Sequence, residues 1–117
     1  MAGVLKAHVA HEVALSVMSE NLKYAADLFT EAGIKVLIEP LNTIDMPGYL
    51  IGHSIQARNL MAIVNLEIFF LQYDLYHCGM NGENLEDSIK LNFNVIDYIQ
   101  VAGVPGRAEP DIGDIDF

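Results

Sequence analysis

The 117-residue chain carries 16 acidic residues against six Lys and Arg, a formal net charge of −10, which argues against a nucleic-acid partner and suits a soluble, cation-attracting surface. Hydrophobic residues make up 52% of the chain and the mean hydropathy is +0.29, so disorder is excluded. No apolar run reaches the roughly 20 residues that span a bilayer, which leaves no membrane role to expect. A single cysteine, Cys78, rules out an internal disulfide and a thiolate cluster and fits a reducing cytoplasm. His8, His11 and Glu12 interrupt the N-terminal apolar residues, unlike a secretion signal.

Residues 1–14 show no clean period. From Leu15 onward, Leu15, Met18, Leu22, Ala25 and Phe29 share one helical face, with Glu20, Lys23, Asp27 and Glu31 opposite. Gly33 suits the position just past the helix end. The apolar run Lys35–Ile38 is too short for a helix and reads as a buried strand, after which Pro40 and Asp45-Met46-Pro47-Gly48 mark a loop. Ser54 is the expected N-cap of a helix reaching about Val64. Residues 67–74 form the second strand, Gly79 to Asn84 a loop, and Asn84 caps a short helix holding Leu85, Ser88, Ile89 and Asn92. Residues 96–102 form the third strand, and Gly103, Pro105, Gly106 and Pro110 keep the remainder irregular. Strands alternating with helices predict right-handed βαβ units and a parallel sheet. The expected fold class is therefore α/β. Residues 1–117 form a single partial (β/α) barrel domain, since a full eight-stranded barrel takes about 250 residues.

Each predicted strand ends on an oxygen-bearing side chain: Glu39, Gln72 with Asp74, and Gln100. Strand side chains alternate faces, so Leu37 goes with Glu39, Phe70 with Gln72 and Asp74, and Tyr98 with Gln100. Val36, Ile38, Leu71, Ile99 and Val101 fall on the other face, where helices are expected to cover them. Singly, Glu39 can cap a loop, Asp74 can pair with Arg107 and Gln100 can bond backbone. Three in phase at successive strand ends favour a cation site, because a buried carboxylate without a partner is costly. All-oxygen ligation suits Mg²⁺ or Mn²⁺. His8 and His11 have no third ligand, His53 reads as a surface residue, and Cys78 beside His77 reads as packing. Asp111, Asp114 and Asp116 read as a solvated tail.

Five segments carry a resemblance: Leu-Ile-Glu-Pro-Leu-Asn (37–42), Asp-Met-Pro-Gly-Tyr (45–49), Gln-Tyr-Asp-Leu-Tyr-His (72–77), Ile-Gln-Val-Ala (99–102) and Pro-Gly-Arg-Ala-Glu-Pro (105–110). In this order and spacing they closely resemble the hydroxypyruvate isomerases, which are xylose-isomerase-like barrel enzymes. The resemblance implies that Glu39, Asp74 and Gln100 are metal ligands at the tips of strands five, six and seven. It also implies that Glu39 is a catalytic acid/base, and that His77 and Arg107 contact substrate. Family members carry a fourth ligand, a glutamate on strand eight that is also the second acid/base. The chain is therefore expected to be a C-terminal-half fragment that ends before that strand, and to be inactive alone.

The activity implied is metal-dependent conversion of hydroxypyruvate to tartronate semialdehyde through an enediolate. The partners implied are a small hydroxy-carbonyl acid or sugar, and a second copy or the missing barrel half. Related barrels supply the alternatives of a sugar epimerase or a 2-oxo-tetronate isomerase. A non-catalytic half-barrel interaction module is the alternative of a different class. Leu37, Phe70 and Tyr98, inward-facing in a closed barrel, are expected to be exposed on one face.

Overall fold

The computed structural model describes residues 2–117, in which four helices and three strands follow one another as α1 (His11–Glu31), β1 (Val36–Ile38), α2 (Ser54–Val64), β2 (Phe69–Asp74), α3 (Leu75–Met80), α4 (Leu85–Asn92) and β3 (Ile96–Gln100). The strands form one parallel sheet in the order β1-β2-β3. Ile38 pairs with Leu71 and Asp74 with Gln100, with a register irregularity between Leu71 and Gln72. This is the α/β, parallel-strand architecture expected of part of a barrel.

The helix predicted from Leu15 starts four residues earlier, at His11, with Glu12 in its first turn, where a carboxylate favours the positive helix end. Ala14, Leu15, Met18, Leu22 and Ala26 turn toward the core. Phe29, placed on that face by its period, stays exposed with Val13, Val17, Tyr24 and Leu28. Gly33 follows the helix end with φ of +66°, a conformation that costs glycine nothing.

The N-cap of α2 is His53 rather than Ser54. The Gln56 side-chain oxygen accepts from the Gly52 and His53 backbone N–H groups at 2.7 and 3.0 Å. Ser54 is buried as the first helical residue, where its N–H and hydroxyl both donate to Glu83. Asn84 caps α4 as its sequence predicted, accepting from the Asp87 N–H at 3.1 Å. One helix was not predicted. α3 begins on the residue after β2, with Asp74 as its cap accepting from the Tyr76 N–H at 2.9 Å. At six residues it is too short to print a helical period.

The core lies between the sheet and α2, built on Ile38, Leu60, Val64, Phe69, Leu71 and Tyr73. Leu71 and Tyr73 in the central strand are fully buried. β3 differs. It ends at Gln100 rather than 102, and Ile99 and Val101, expected beneath helices, are 50% and 46% exposed. The chain after β3 does not return under that strand. It folds onto α3, where Ile115 and Val104 lie against Gly79. A Cβ at Gly103 would meet the Ile112 carbonyl oxygen at 1.7 Å, so only glycine permits this close return. On the other sheet face Leu37 and Tyr98 are exposed as expected, whereas Phe70 is half-buried beneath the Lys35 ammonium, 5.0 Å above its ring. An open trough of about 720 Å³ separates α1 from β1.

Candidate metal centre

Parallel pairing in this register brings the carboxyl ends of β1 and β2 side by side. Glu39 follows the last residue of β1, and Asp74 ends β2. Asp74 then opens α3, so His77, three residues on, returns its ring to the same end of the sheet. The outcome is a compact group: one ligand atom each from Glu39, Asp74 and His77 lies within 4.8 Å of the others. Asp74 and His77 are both 3% exposed.

The Asp74 carboxylate is only half committed. Oδ1 takes the Tyr76 N–H, while the nearest cationic atoms to Oδ2 among the described residues are Arg107 Nη2 at 3.7 Å and His77 Nε2 at 3.8 Å. Neither is at hydrogen-bond distance. The Asp74 carboxylate shares this group with that of Glu39, and two carboxylates so close are stabilised by positive charge, part of which Arg107 supplies. The two carboxylates, Glu39 and Asp74, are a donor set that fits a divalent cation.

Gln100 stands opposite Asp74 in the register and is half-buried. Its Oε1 accepts from Gln72 Nε2 at 2.7 Å, so its oxygen bonds a side chain rather than backbone. Arg107 arrives from the irregular segment after β3, in a left-handed conformation with φ of +53°. Its guanidinium rests 4.8 Å from the centre of the Tyr76 ring, and Nη2 approaches His77 Nε2 to 3.4 Å. Thus the structure brings Glu39, Asp74, His77 and Arg107 together at one rim and sets Gln100 on the adjoining strand end. His8 and His11 are exposed and lie outside this group, and the acidic tail residues 111, 114 and 116 are exposed too.

Three residues were not picked out as site residues. Asn42 is fully buried, and both its backbone N–H and its side-chain Nδ2 approach His77 Nδ1, at 3.1 and 2.8 Å. Asp45 accepts from Asn42 Nδ2 at 2.9 Å and from the Tyr76 hydroxyl at 2.6 Å. These bonds from Asn42 and then Tyr76 hold the Asp45 carboxyl below its usual range, and in return Asp45 raises the Tyr76 phenol. Burial pushes His77 below its ordinary value against the pull of Asp74. One signal was available: an Asn in a loop commonly accepts from the backbone N–H two residues on, as Asn42 Oδ1 does from Ile44.

Deeper in the fold, burial pushes the Cys78 thiol up to about 12 and raises the Tyr73 phenol. Cys78 is therefore a packing residue, as its sequence context indicated.

The xylose isomerase-like TIM barrel family matches residues 1–117. The chain is 35% identical over 117 residues to the 2-oxo-tetronate isomerase of Cupriavidus necator, covering all of this chain and 45% of that protein. It is 33% identical over 102 residues to the hydroxypyruvate isomerase of Escherichia coli, covering 87% of this chain and 40% of that protein. Among solved structures, an AP endonuclease, family 2, from Brucella melitensis superposes with a TM-score of 0.90 at 37% identity, over 94% of this chain and 43% of its own length. The chain thus spans less than half the length of these relatives.

Proposed function

The chain belongs to the xylose isomerase-like TIM barrel family, and from that premise we propose that it carries part of the active site of an isomerase acting on small hydroxy-carbonyl acids. Hydroxypyruvate and tartronate semialdehyde are the favoured substrate pair. The observation that carries this reading is the Glu39–Asp74 carboxylate pair, with His77, at the carboxyl ends of adjacent parallel strands. That rim is where β/α barrels place their chemistry, and relatives named as isomerases support the reaction class.

Glu39, Asp74 and Gln100 would hold Mg²⁺ or Mn²⁺. When bound, the cation supplies Lewis-acid stabilisation to the substrate's neighbouring carbonyl and hydroxyl oxygens. Glu39 takes the proton from the hydroxyl-bearing carbon, C3, as its electron pair moves into the C2–C3 bond to give the enediolate. A proton returned to C2, with the O3 hydroxyl proton passing to O2 as O3 becomes the aldehyde carbonyl oxygen, completes tartronate semialdehyde. We assign that second transfer to a group outside residues 1–117, so the isolated chain turns over slowly or not at all. His77 steadies a substrate oxygen, and Arg107 takes the carboxylate. The net charge of −10 weighs against a nucleic-acid substrate. Cytoplasmic residence is part of this reading.

A second reading, 2-oxo-tetronate as substrate, is favoured by the Cupriavidus necator relative, which matches along the whole chain. Replacing the matching segment of the Escherichia coli hydroxypyruvate isomerase with this chain tests both. Turnover of hydroxypyruvate that Glu39→Gln abolishes is the expected result. Preference for 2-oxo-tetronate would select the second reading, and a folded, metal-loaded chimera inactive on both acids would overturn the proposal.

A further inference from the structure

The orientation of the Asn42 amide is fixed by its own loop. Its Oδ1 accepts from the Ile44 and Asp45 backbone N–H groups at 3.1 and 2.8 Å, while Nδ2 donates to Asp45 Oδ2 at 2.9 Å. A flipped amide would lose all three bonds, so Nδ2 is the nitrogen. Its remaining hydrogen points along the 2.8 Å contact to His77 Nδ1, which also receives the Asn42 backbone N–H at 3.1 Å. A backbone N–H cannot act as an acceptor, and an amide nitrogen has no lone pair to offer. Nδ1 must therefore be the bare nitrogen of a neutral ring, and the proton sits on Nε2.

That placement settles the contacts on the other side of the ring. Nε2 lies 3.4 Å from Arg107 Nη2, and both atoms are donors, so this is no hydrogen bond. It is a pair of N–H donors that both border Asp74 Oδ2, at 3.8 Å from Nε2 and 3.7 Å from Nη2, and lie close enough together to share one further acceptor. Nor has a protonated Nε2 a lone pair for a cation, although His77 stands within ligand distance of Glu39 and Asp74.

We propose that Asn42 is a positioning residue that locks His77 as its Nε2–H tautomer. His77 is thereby removed from the metal ligand set and, with Arg107, presents two donors to one anionic oxygen of the bound acid. The choice of that oxygen rests on the isomerase reading; the lock itself does not.

Nitrogen NMR of the full chain labelled with ¹⁵N-histidine tests the lock, with His77 assigned by its loss in His77→Gln. At pH 8.5 the expected spectrum has a pyridine-type Nδ1 and a pyrrole-type Nε2, and Mg²⁺ leaves Nε2 protonated. An Nδ1–H ring, or loss of the Nε2 proton on adding Mg²⁺, would overturn the proposal. Asn42→Asp keeps the Oδ1 acceptor for Ile44 and Asp45 but replaces the side-chain donor with an acceptor. It is expected to move the tautomer ratio toward Nδ1–H by about tenfold or more; a folded variant with an unchanged ratio also overturns it. Should this variant unfold, the parent spectra with and without Mg²⁺ decide alone. An inactive chimera with an intact Nε2–H signature would count against the isomerase reading and not against the lock.

Discussion

The central strand β2 and the edge strand β3 pair with each other, yet they meet different surroundings. In β2, Phe69, Leu71 and Tyr73 are buried against α2, and the strand's last residue passes straight into α3 with its carboxylate capping that helix. In β3, Tyr98 and Ile99 are 54% and 50% exposed, on opposite faces. A parallel strand is stable when both faces are covered, and within the described residues β2 comes nearest to that condition, with Phe70 and Gln72 half-buried on its second face. The site follows the same division. Asp74 and His77, anchored on β2 and α3, are buried and oriented, whereas Gln100 on β3 is held chiefly by Gln72. Rigidity at the rim is inherited from the core beneath it.

The sharpest way to break this contrast is a matched pair of truncations. Leu71→Ala should destabilise the chain by about 2–5 kcal/mol, the usual cost of a cavity in a packed core. Ile99→Ala should cost under about 1 kcal/mol, because much of its side chain already meets solvent. Denaturant melts of both variants make the comparison, and equal losses would mean that β3 is covered in solution.

The rim gives the next effect. Asp74→Asn and Glu39→Gln should each weaken Mn²⁺ binding by about 100-fold, since either removes half the negative charge facing the cation. Gln100→Ala should cost less, about tenfold. Paramagnetic titration of Mn²⁺ ranks the three, and a Gln100 loss equal to that of Asp74 would make β3 as integral to the site as β2.

A third effect concerns what the open surfaces do. Leu37 and Tyr98 on one face and Ile99 on the other leave apolar area that water covers poorly, and exposed strand edges invite pairing. The chain should associate at micromolar concentration in sedimentation experiments. Tyr98→Glu should weaken association while leaving the melting temperature of dilute protein within a few degrees. A monodisperse monomer at that concentration would overturn this.

The smallest effect is chemical. Cys78 lies in the β2–α3 region with its thiol pushed up to about 12 by burial, so a thiol reagent should react only as fast as that region opens. Rapid labelling of native protein at neutral pH would show that α3 is looser than its packing implies.

Much of this was legible beforehand. The period of Leu15, Met18 and Leu22 located the covered face of α1, and the apolar runs closing on Glu39 and Asp74 located two strand ends and their acids. Phe29 and Ile99 were misplaced for a common reason: apolarity shows that a residue can be buried, not that anything is there to bury it. The helix α3 was missed because six residues hold fewer than two turns.

Sequence alone determined the alternation of strand and helix, the parallel sheet it implies, and the acidic side chains at the strand ends, because each follows from local periodicity and chain connectivity. The partnership of Asn42 with His77 was decided only by tertiary structure. Thirty-five residues separate them, and which nitrogen of an imidazole bears the proton depends on the group facing it. That group is brought there by the packing of β1 beside β2, and no pattern in either segment records it.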